Sequence, residues 1–384
     1  MPSRILFING HLNSGGVERS LVDVLQHIDY SRYEVDLLLL QGMGDYAYEI
    51  PKEVKVHAYD TTDAYGPLVS TSIKNLIRGH WFLLLYRLII QFFGLSQLRF
   101  VIPVLRKRFD SAIAYRVGPC TDLLVEAVDS PNKISWWHHG EMNLSESEQR
   151  KLGVNYQTIQ HVVAVSESCA KLVRQSFESA KDKVCVIPNM LCAETILVKT
   201  KAQTISLFHS GNNTLKIVSV GRLSPEKNMV MCVQVADELQ RRGISFEWVL
   251  VGDGEERVNI EKSIQQARLS SHIRMTGTLD NPYPVMKDAD VLFHPSLVES
   301  QGLTVLEAMA LGTPVVCVSS AGTREFILHG KNGLLIENDV TQAADAILQL
   351  SDDINLRLFL SEEAFKTVTC FAPSQIVEQI EQFI

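Results

Sequence analysis

The sequence predicts an α/β protein built from two doubly wound halves that face each other across a cleft. Three observations carry that expectation. The chain has 384 residues, more than a single hydrophobic core usually serves. Short apolar runs alternate with amphipathic stretches, the grammar of parallel strands joined by crossover helices. The same grammar restarts at Lys216-Ile-Val-Ser-Val220-Gly221, after a polar stretch from Lys199 to Thr214 that carries Gly211-Asn-Asn213.

Taken in order, Ile5-Leu-Phe-Ile8 reads as a buried strand and Gly10 to Gly16 as a loop. Val17 to Ile28 reads as a helix, with apolar residues at Val17, Leu21, Val24, Leu25 and Ile28. Further strands are expected at Glu34–Leu40, Ser111–Tyr115, Lys133–Trp137, His161–Val165 and Val184–Ile187. The second half offers Lys216–Val220, Phe246–Val251, Ile273–Thr276, Val291–His294, Val315–Val318 and Gly333–Ile336. The domains expected are 1–198, a linker at 199–214, a second domain at 215–370, and a helix at 371–384 that crosses back to the first. Ligands in such sheets bind beyond the carboxyl ends of the strands.

Composition narrows the partners. A formal charge of -8 and 21% charged residues suit a globular protein and argue against nucleic acid. Seven cysteines with no Cys-x-x-Cys pair indicate neither a disulfide framework nor a zinc site, so reduced thiols in a cytoplasmic location are expected. The apolar run Ile5–Ile8 is too short for a signal-peptide core. One segment opposes the overall charge: from Ala64 to Phe109 there is no acidic residue, while Lys74, Arg78, Arg87, Arg99, Arg106, Lys107 and Arg108 are all basic. Within it lie Trp81-Phe-Leu-Leu-Leu-Tyr86, Leu88-Ile-Ile90 and Phe92-Phe93, broken too early for a span of about 20 residues. Two readings stay open: 74–108 meets an anionic membrane surface, which would place the protein peripherally at the inner face, or it packs internally with a solvated basic edge.

Chemistry concentrates in three places. The run Glu299-Ser-Gln-Gly-Leu-Thr-Val-Leu-Glu307 sets two carboxylates eight positions apart in a strand–loop–helix unit. Ser300, Gln301 and Gly302 would present N–H groups at the helix start, where an anion is favoured. Glu307, placed about two turns in, would accept from vicinal hydroxyls. Taken alone, two glutamates at this spacing are ordinary. The second place is Gly221-Arg222-Leu-Ser-Pro-Glu-Lys227, where a strand delivers two cations that would neutralise a diphosphate. The third comprises two N-terminal strand ends, Gly10-His-Leu-Asn-Ser-Gly15-Gly16 and Trp136-Trp137-His138-His139. Neither the first glycine loop nor Gly252-Asp-Gly254 has the Gly-x-Gly-x-x-Gly spacing, which counts against a nicotinamide site. Successive strand residues face opposite ways, so His138 and His139 would not share a metal ion, and either can be the one at the cleft.

Together these residues resemble the retaining nucleotide-sugar glycosyltransferases of family 4, whose two facing Rossmann-like domains form the GT-B fold. In the C-terminal half the likeness runs through Gly221-Arg-Leu-Ser-Pro-Glu-Lys227, Val251-Gly-Asp-Gly254, Thr276-Gly277, Asn281-Pro-Tyr283, the paired glutamates and Pro314-Val-Val. In the N-terminal half it is looser, through Gly15-Gly16-Val-Glu18, Trp136 with His138, Val165-Ser166-Glu167 and Ile187-Pro-Asn189. The resemblance implies that Arg222 and Lys227 bind the donor diphosphate, that Glu307 holds the ribose, and that Glu299 and His138 act at the donor sugar. Backbone groups around Ser300, Gln301, Gly302 and Leu303 would complete that pocket, and Gly15 and Gly16 would let the N-terminal domain close on the diphosphate. Gln301 stands where the family often carries an aromatic or apolar residue, so donor-sugar selectivity is expected to differ there.

The function so implied is transfer, with retention, of a hexose or N-acetylhexosamine from a nucleotide sugar, in first place a UDP-sugar, to a glycan or lipid-linked glycan. Surface-polysaccharide assembly is the implied setting. No metal and no cofactor beyond the nucleotide-sugar co-substrate is implied. Two other functions stay open: a catalytically silent nucleotide-sugar-binding protein and a sugar-nucleotide epimerase on the same fold.

Overall fold

The computed structural model describes residues 2–13, 15–59, 93–202, 206–209 and 214–384. They divide into two units, Met1–Met190 with Ile376–Ile384, and Leu191–Gln375. Of the apolar run expected at 81–93, all but Phe93 lies outside the described residues.

The first unit contains β1 (Ser3–Asn9), α1 (Gly16–His27), β2 (Tyr33–Leu39), β3 (Lys55–Ala58), β4 (Ser111–Ala114) and α2 (Pro119–Ala127). It continues through β5 (Asn132–Trp137), α3 (Glu146–Thr158), β6 (His161–Ala164), α4 (Glu167–Ser176) and β7 (Val184–Val186). Neighbouring strands pair in parallel in the order β3-β2-β1-β4-β5-β6-β7. The apolar run of β1 is continuous because both faces of the sheet are covered. Its Ile5 and Phe7 pack in one core with Leu21 and Leu25 of α1, while Leu6 and Ile8 pack in a second with Leu123 and Leu124 of α2. Strand β3 is absent from the sequence reading. It is a partly exposed edge, Lys55-Val-His-Ala, with little apolar signal to betray it.

The second unit contains α5 (Ala193–Ala202), β8 (Leu215–Val220), α6 (Val230–Arg241), β9 (Phe246–Val251), α7 (Arg257–Gln266), β10 (Ile273–Gly277) and α8 (Tyr283–Asp288). Then follow β11 (Val291–His294), α9 (Leu303–Leu311), β12 (Val315–Val318), β13 (Leu334–Ile336), α10 (Val340–Asp352) and α11 (Ile354–Val368). The sheet order is β10-β9-β8-β11-β12-β13, again parallel. Two faces recur here as well. Ile217, Trp248 and Phe293 enter one core and Val218, Val249 and Leu292 the other.

The expected boundaries move. The division falls at Met190 and Leu191 rather than at 198, because α5 belongs with the second unit through Ile196. Residues 199–202, expected as linker, end that helix. The second unit runs to Gln375 rather than to 370. Near the chain end, α12 (Pro373–Glu381) places Ile376 and Ile380 in the first unit's core, and Asn132 Nδ2 donates to Phe383 O at 2.5 Å.

Candidate active site

In each sheet the strand order reverses beside the first strand of the unit, between β1 and β4 and between β8 and β11, and such switch points are where open parallel sheets bind ligands. In the second unit the residues expected to carry chemistry sit at that point. The turn after β8 is held by the strand beside it: Gly221 N donates to Val251 O and Leu223 N to Asp253 O, both at 3.0 Å. Gly252 has φ +136°, and a Cβ there would lie 1.9 Å from Gly221 O. The Val251-Gly-Asp-Gly254 run therefore braces the Arg222 turn by close backbone approach. Arg222 itself is exposed and makes no hydrogen bond or ion pair among the described residues.

Lys227 closes a short 3-10 turn, Pro225–Lys227, that is tied to the loop after β11. Leu297 N donates to Glu226 O at 2.9 Å and Asn228 Nδ2 to Pro295 O at 3.3 Å. Across this junction Lys227 Nζ donates to Glu299 Oε1 at 2.6 Å. His294, the last residue of β11, brings Nε2 to the same oxygen at 2.8 Å. Both hydrogen bonds fall on Oε1, and Oε2 has none among the described residues. Burial alone would raise the Glu299 pKa, but Lys227 and His294 outweigh it and hold the carboxyl at about 2. Glu299 is thus a fixed carboxylate at neutral pH.

The loop continues through half-buried Ser300 and buried Gln301 to Gly302, which caps α9 with φ +88°, a left-handed conformation that favours glycine. Leu303 opens the helix, and the N–H groups of Val305 and Leu306 donate to Gly302 O at 3.0 and 3.3 Å. Glu307 is the fifth helical residue, little more than one turn in, rather than the two turns expected. It is half-buried, and its Oε1 accepts from Tyr283 Oη at 3.1 Å.

In the first unit, His138 follows β5 and is 8% exposed. Its ring lies 4.9 Å from that of Tyr115, which stacks on Trp136 at 5.0 Å. Nε2 of His138 has no hydrogen bond among the described residues. Burial, with smaller contributions from His139 and Arg116, pushes its pKa down to about 3, so the ring is neutral. His139 turns the other way, edge-on to Trp137 at 5.5 Å, and its main-chain oxygen accepts from Trp137 Nε1 at 2.7 Å. The alternation that separates the two rings is that of the strand they follow. Gly15 caps α1 with extended backbone and Gly16 is its exposed first residue. Glu18, in the first turn, accepts from Arg116 Nη1 at 3.1 Å.

Sequence reasoning did not assign His294, Tyr283 or Arg116 to the site. A polar residue ending an otherwise apolar strand, as His294 does after Val291-Leu-Phe, was the available signal. Among the described residues there is no cluster of three His, Cys, Asp or Glu that would hold a metal ion, and no helix long and apolar enough to cross a membrane. In the basic segment Leu95, Leu98, Ile102, Val104 and Leu105 are buried, whereas Phe93, Phe100 and Val101 face outward. Arg106 braces that turn, donating to Arg99 O at 2.7 Å and Phe100 O at 2.8 Å, and Lys107 pairs with Asp36.

Two parallel doubly wound units of this kind define the GT-B class of fold. Solved structures share it along nearly the whole chain. Anabaena HepE in complex with UDP and glucose matches with a TM-score of 0.75 at 19% identity, covering 99% of this chain and 98% of that one. Staphylococcus aureus TarM, in a complex with Fondaparinux, alpha-GlcNAc-glycerol and UDP, matches with a TM-score of 0.74 at 15% identity, covering 99% of each. Residues 207–367, most of the second unit, match the family described as glycosyl transferases group 1. The lipopolysaccharide core biosynthesis glycosyltransferase LpsE of Rhizobium meliloti is 34% identical over 153 residues, 40% of this chain and 44% of that protein. The N-acetyl-alpha-D-glucosaminyl L-malate synthase of Bacillus anthracis is 35% identical over 222 residues, 57% of this chain and 58% of that protein. The chain thus spans about half the length of these two curated relatives.

Proposed function

We propose that this protein is a retaining glycosyltransferase that moves a hexose or N-acetylhexosamine from a UDP-sugar to a glycan acceptor, lipid-linked, in surface-polysaccharide assembly. One observation carries the reading: at the switch point of the second unit, Lys227 and His294 fix the ionised Glu299 in the loop leading to the N-terminus of α9, while Arg222, on the loop after β8, is left unpaired. The names of LpsE and the UDP-bound HepE point the same way.

The roles follow from the chemistry of each group. Arg222 forks onto diphosphate oxygens, and Lys227 has two further N–H donors to share with them. The α9 N-terminus, with backbone around Ser300, Gln301, Gly302 and Leu303, adds partial positive charge. Glu299 Oε2 accepts from the donor sugar and Glu307 from the ribose. Within the first unit, His138, neutral and with Nε2 unused, offers a contact to a donor-sugar hydroxyl, and Gly15 and Gly16 permit close backbone approach of a diphosphate.

In the step itself the bond from the anomeric carbon to the diphosphate oxygen breaks. The acceptor hydroxyl forms its new bond on the same face, and its proton leaves with the departing phosphate. Stabilising that departing charge supplies most of the rate, and the two cations and the helix end do so without a metal. Exposed Phe100 and Val101, beside basic Arg106 and Arg108, suit a peripheral site at an anionic inner membrane face.

A mass-spectrometric screen of nucleotide sugars against lipid-linked acceptors tests the reading. Acceptor products heavier by one hexose or N-acetylhexosamine, formed equally well with EDTA present, are expected. Donor binding without turnover across the panel would indicate the silent binder instead, and a donor changed in stereochemistry with no acceptor extended would indicate an epimerase.

A further inference from the structure

The loop that carries Glu299 needs a hold that survives donor binding, and Lys227 alone does not provide one. Lys227 reaches Glu299 from a surface turn, with its side chain about a quarter exposed, and on the reading above its ammonium is shared with the diphosphate. His294 differs in both respects. It ends a central strand, its side chain is 2% exposed, and its Nε2 lies 2.8 Å from Glu299 Oε1.

We infer that His294 is a positioning residue: through Nε2–H it anchors Oε1 of Glu299 and so presents Oε2 to the donor sugar whether or not Lys227 has turned to the diphosphate. The inference rests on the donor-site reading above. The geometry also selects the tautomer. Nδ1 of His294 is buried and has no hydrogen bond among the described residues. A hydrogen on Nδ1 would be an unpaired buried donor, whereas a hydrogen on Nε2 faces Glu299 Oε1, so Nε2–H is the donor that the geometry fits. A carboxylate held by one oxygen from a rigid strand loses little orientational freedom, which is what a sugar-hydroxyl acceptor requires.

His294→Gln keeps an N–H donor near the Nε2 position, whereas His294→Phe keeps bulk and loses the donor. The two variants, Glu299→Gln and the double variant His294→Phe/Glu299→Gln are compared with wild type by calorimetric titration with UDP-glucose and UDP, and by kcat and KM for transfer. His294→Phe is expected to lower UDP-glucose affinity about tenfold while leaving UDP affinity nearly unchanged, since UDP lacks the sugar that Oε2 contacts. His294→Gln should recover most of the loss, and the Phe substitution should cost little more when Glu299 is already Gln. If His294→Phe does not fold, His294→Met takes its place.

Equal losses for UDP and UDP-glucose, additive effects in the double variant, or no recovery in His294→Gln would each overturn the inference. Transfer that is absent in wild type, with UDP-glucose still bound, would defeat the transferase reading and leave the cycle of affinities to decide on His294.

Discussion

The two sheets share a strand order but finish their switch points differently. At the β8–β11 end of the second unit Lys227 and His294 converge on one carboxylate oxygen of Glu299, while Arg222 and the buried Nδ1 of His294 have no partner among the described residues. At the β1–β4–β5 end of the first unit, buried polar atoms stay without partners among the described residues, Asn9 Oδ1, Trp136 Nε1 and His138 Nε2 among them. One edge is an assembled electrostatic device. The other is an aromatic shelf with a neutral histidine, held by burial instead of by ion pairs. On the function proposed above, the second unit would bind charge and the first would discriminate neutral hydroxyls.

The largest effect should come from removing the charge that the second edge keeps unpaired. Arg222→Ala is expected to lower transfer about 100- to 1,000-fold, with an unchanged melting temperature because the side chain is exposed and unbonded. A variant that transfers normally would break the contrast between the edges. Next comes the brace beneath it. Gly252→Ala forces a Cβ to within 1.9 Å of Gly221 O at φ +136°, and should cost about 2–3 kcal/mol in urea unfolding together with donor affinity. A wild-type midpoint would show that the turn does not depend on that approach.

The two edges should also separate by pH. His138 has a folded pKa near 3 against an ordinary 6.5, so its stabilising contribution is complete above about 6.5 and is lost as pH falls towards 3. Glu299, near 2 against 4.5, contributes fully above about 4.5 and loses that contribution only as pH falls towards 2. Urea midpoints at pH 7 and pH 5 should therefore diverge less in His138→Gln than in wild type, while Glu299→Gln shifts both alike. Identical pH dependence in His138→Gln and wild type would contradict the neutral, buried ring. The smallest effect concerns the outer surface of the first unit. Phe100→Ser with Val101→Ser should reduce sedimentation with anionic liposomes at low salt several-fold and leave donor affinity intact. Unchanged sedimentation would mean that this face does not meet lipid.

Much of this was legible in the sequence because parallel strands buried on both faces announce themselves as apolar runs, and all but one of the described strands did so. The exception, β3, is an edge with a single large apolar residue, Val56. Arg222, Lys227 and Glu299 were legible because each follows a strand end. Their mutual bonding was not, since Lys227 and Glu299 lie 72 residues apart and meet only through the β8–β11 pairing. His294 escaped notice because burial in a strand usually marks packing, and only its contact with Glu299 gives it another meaning. The role of Gly252 was hidden for a similar reason: a glycine pair after a strand looks like a ligand loop, whereas here it admits a neighbouring backbone.

The central claim, that the β8–β11 edge is a donor-diphosphate site, is tested most directly by titrating UDP into wild type and Arg222→Ala side by side in a calorimeter. The account predicts that wild type binds and that the variant, equally folded, loses affinity about tenfold or more. Equal affinity in the two proteins, or no binding to either, would contradict it.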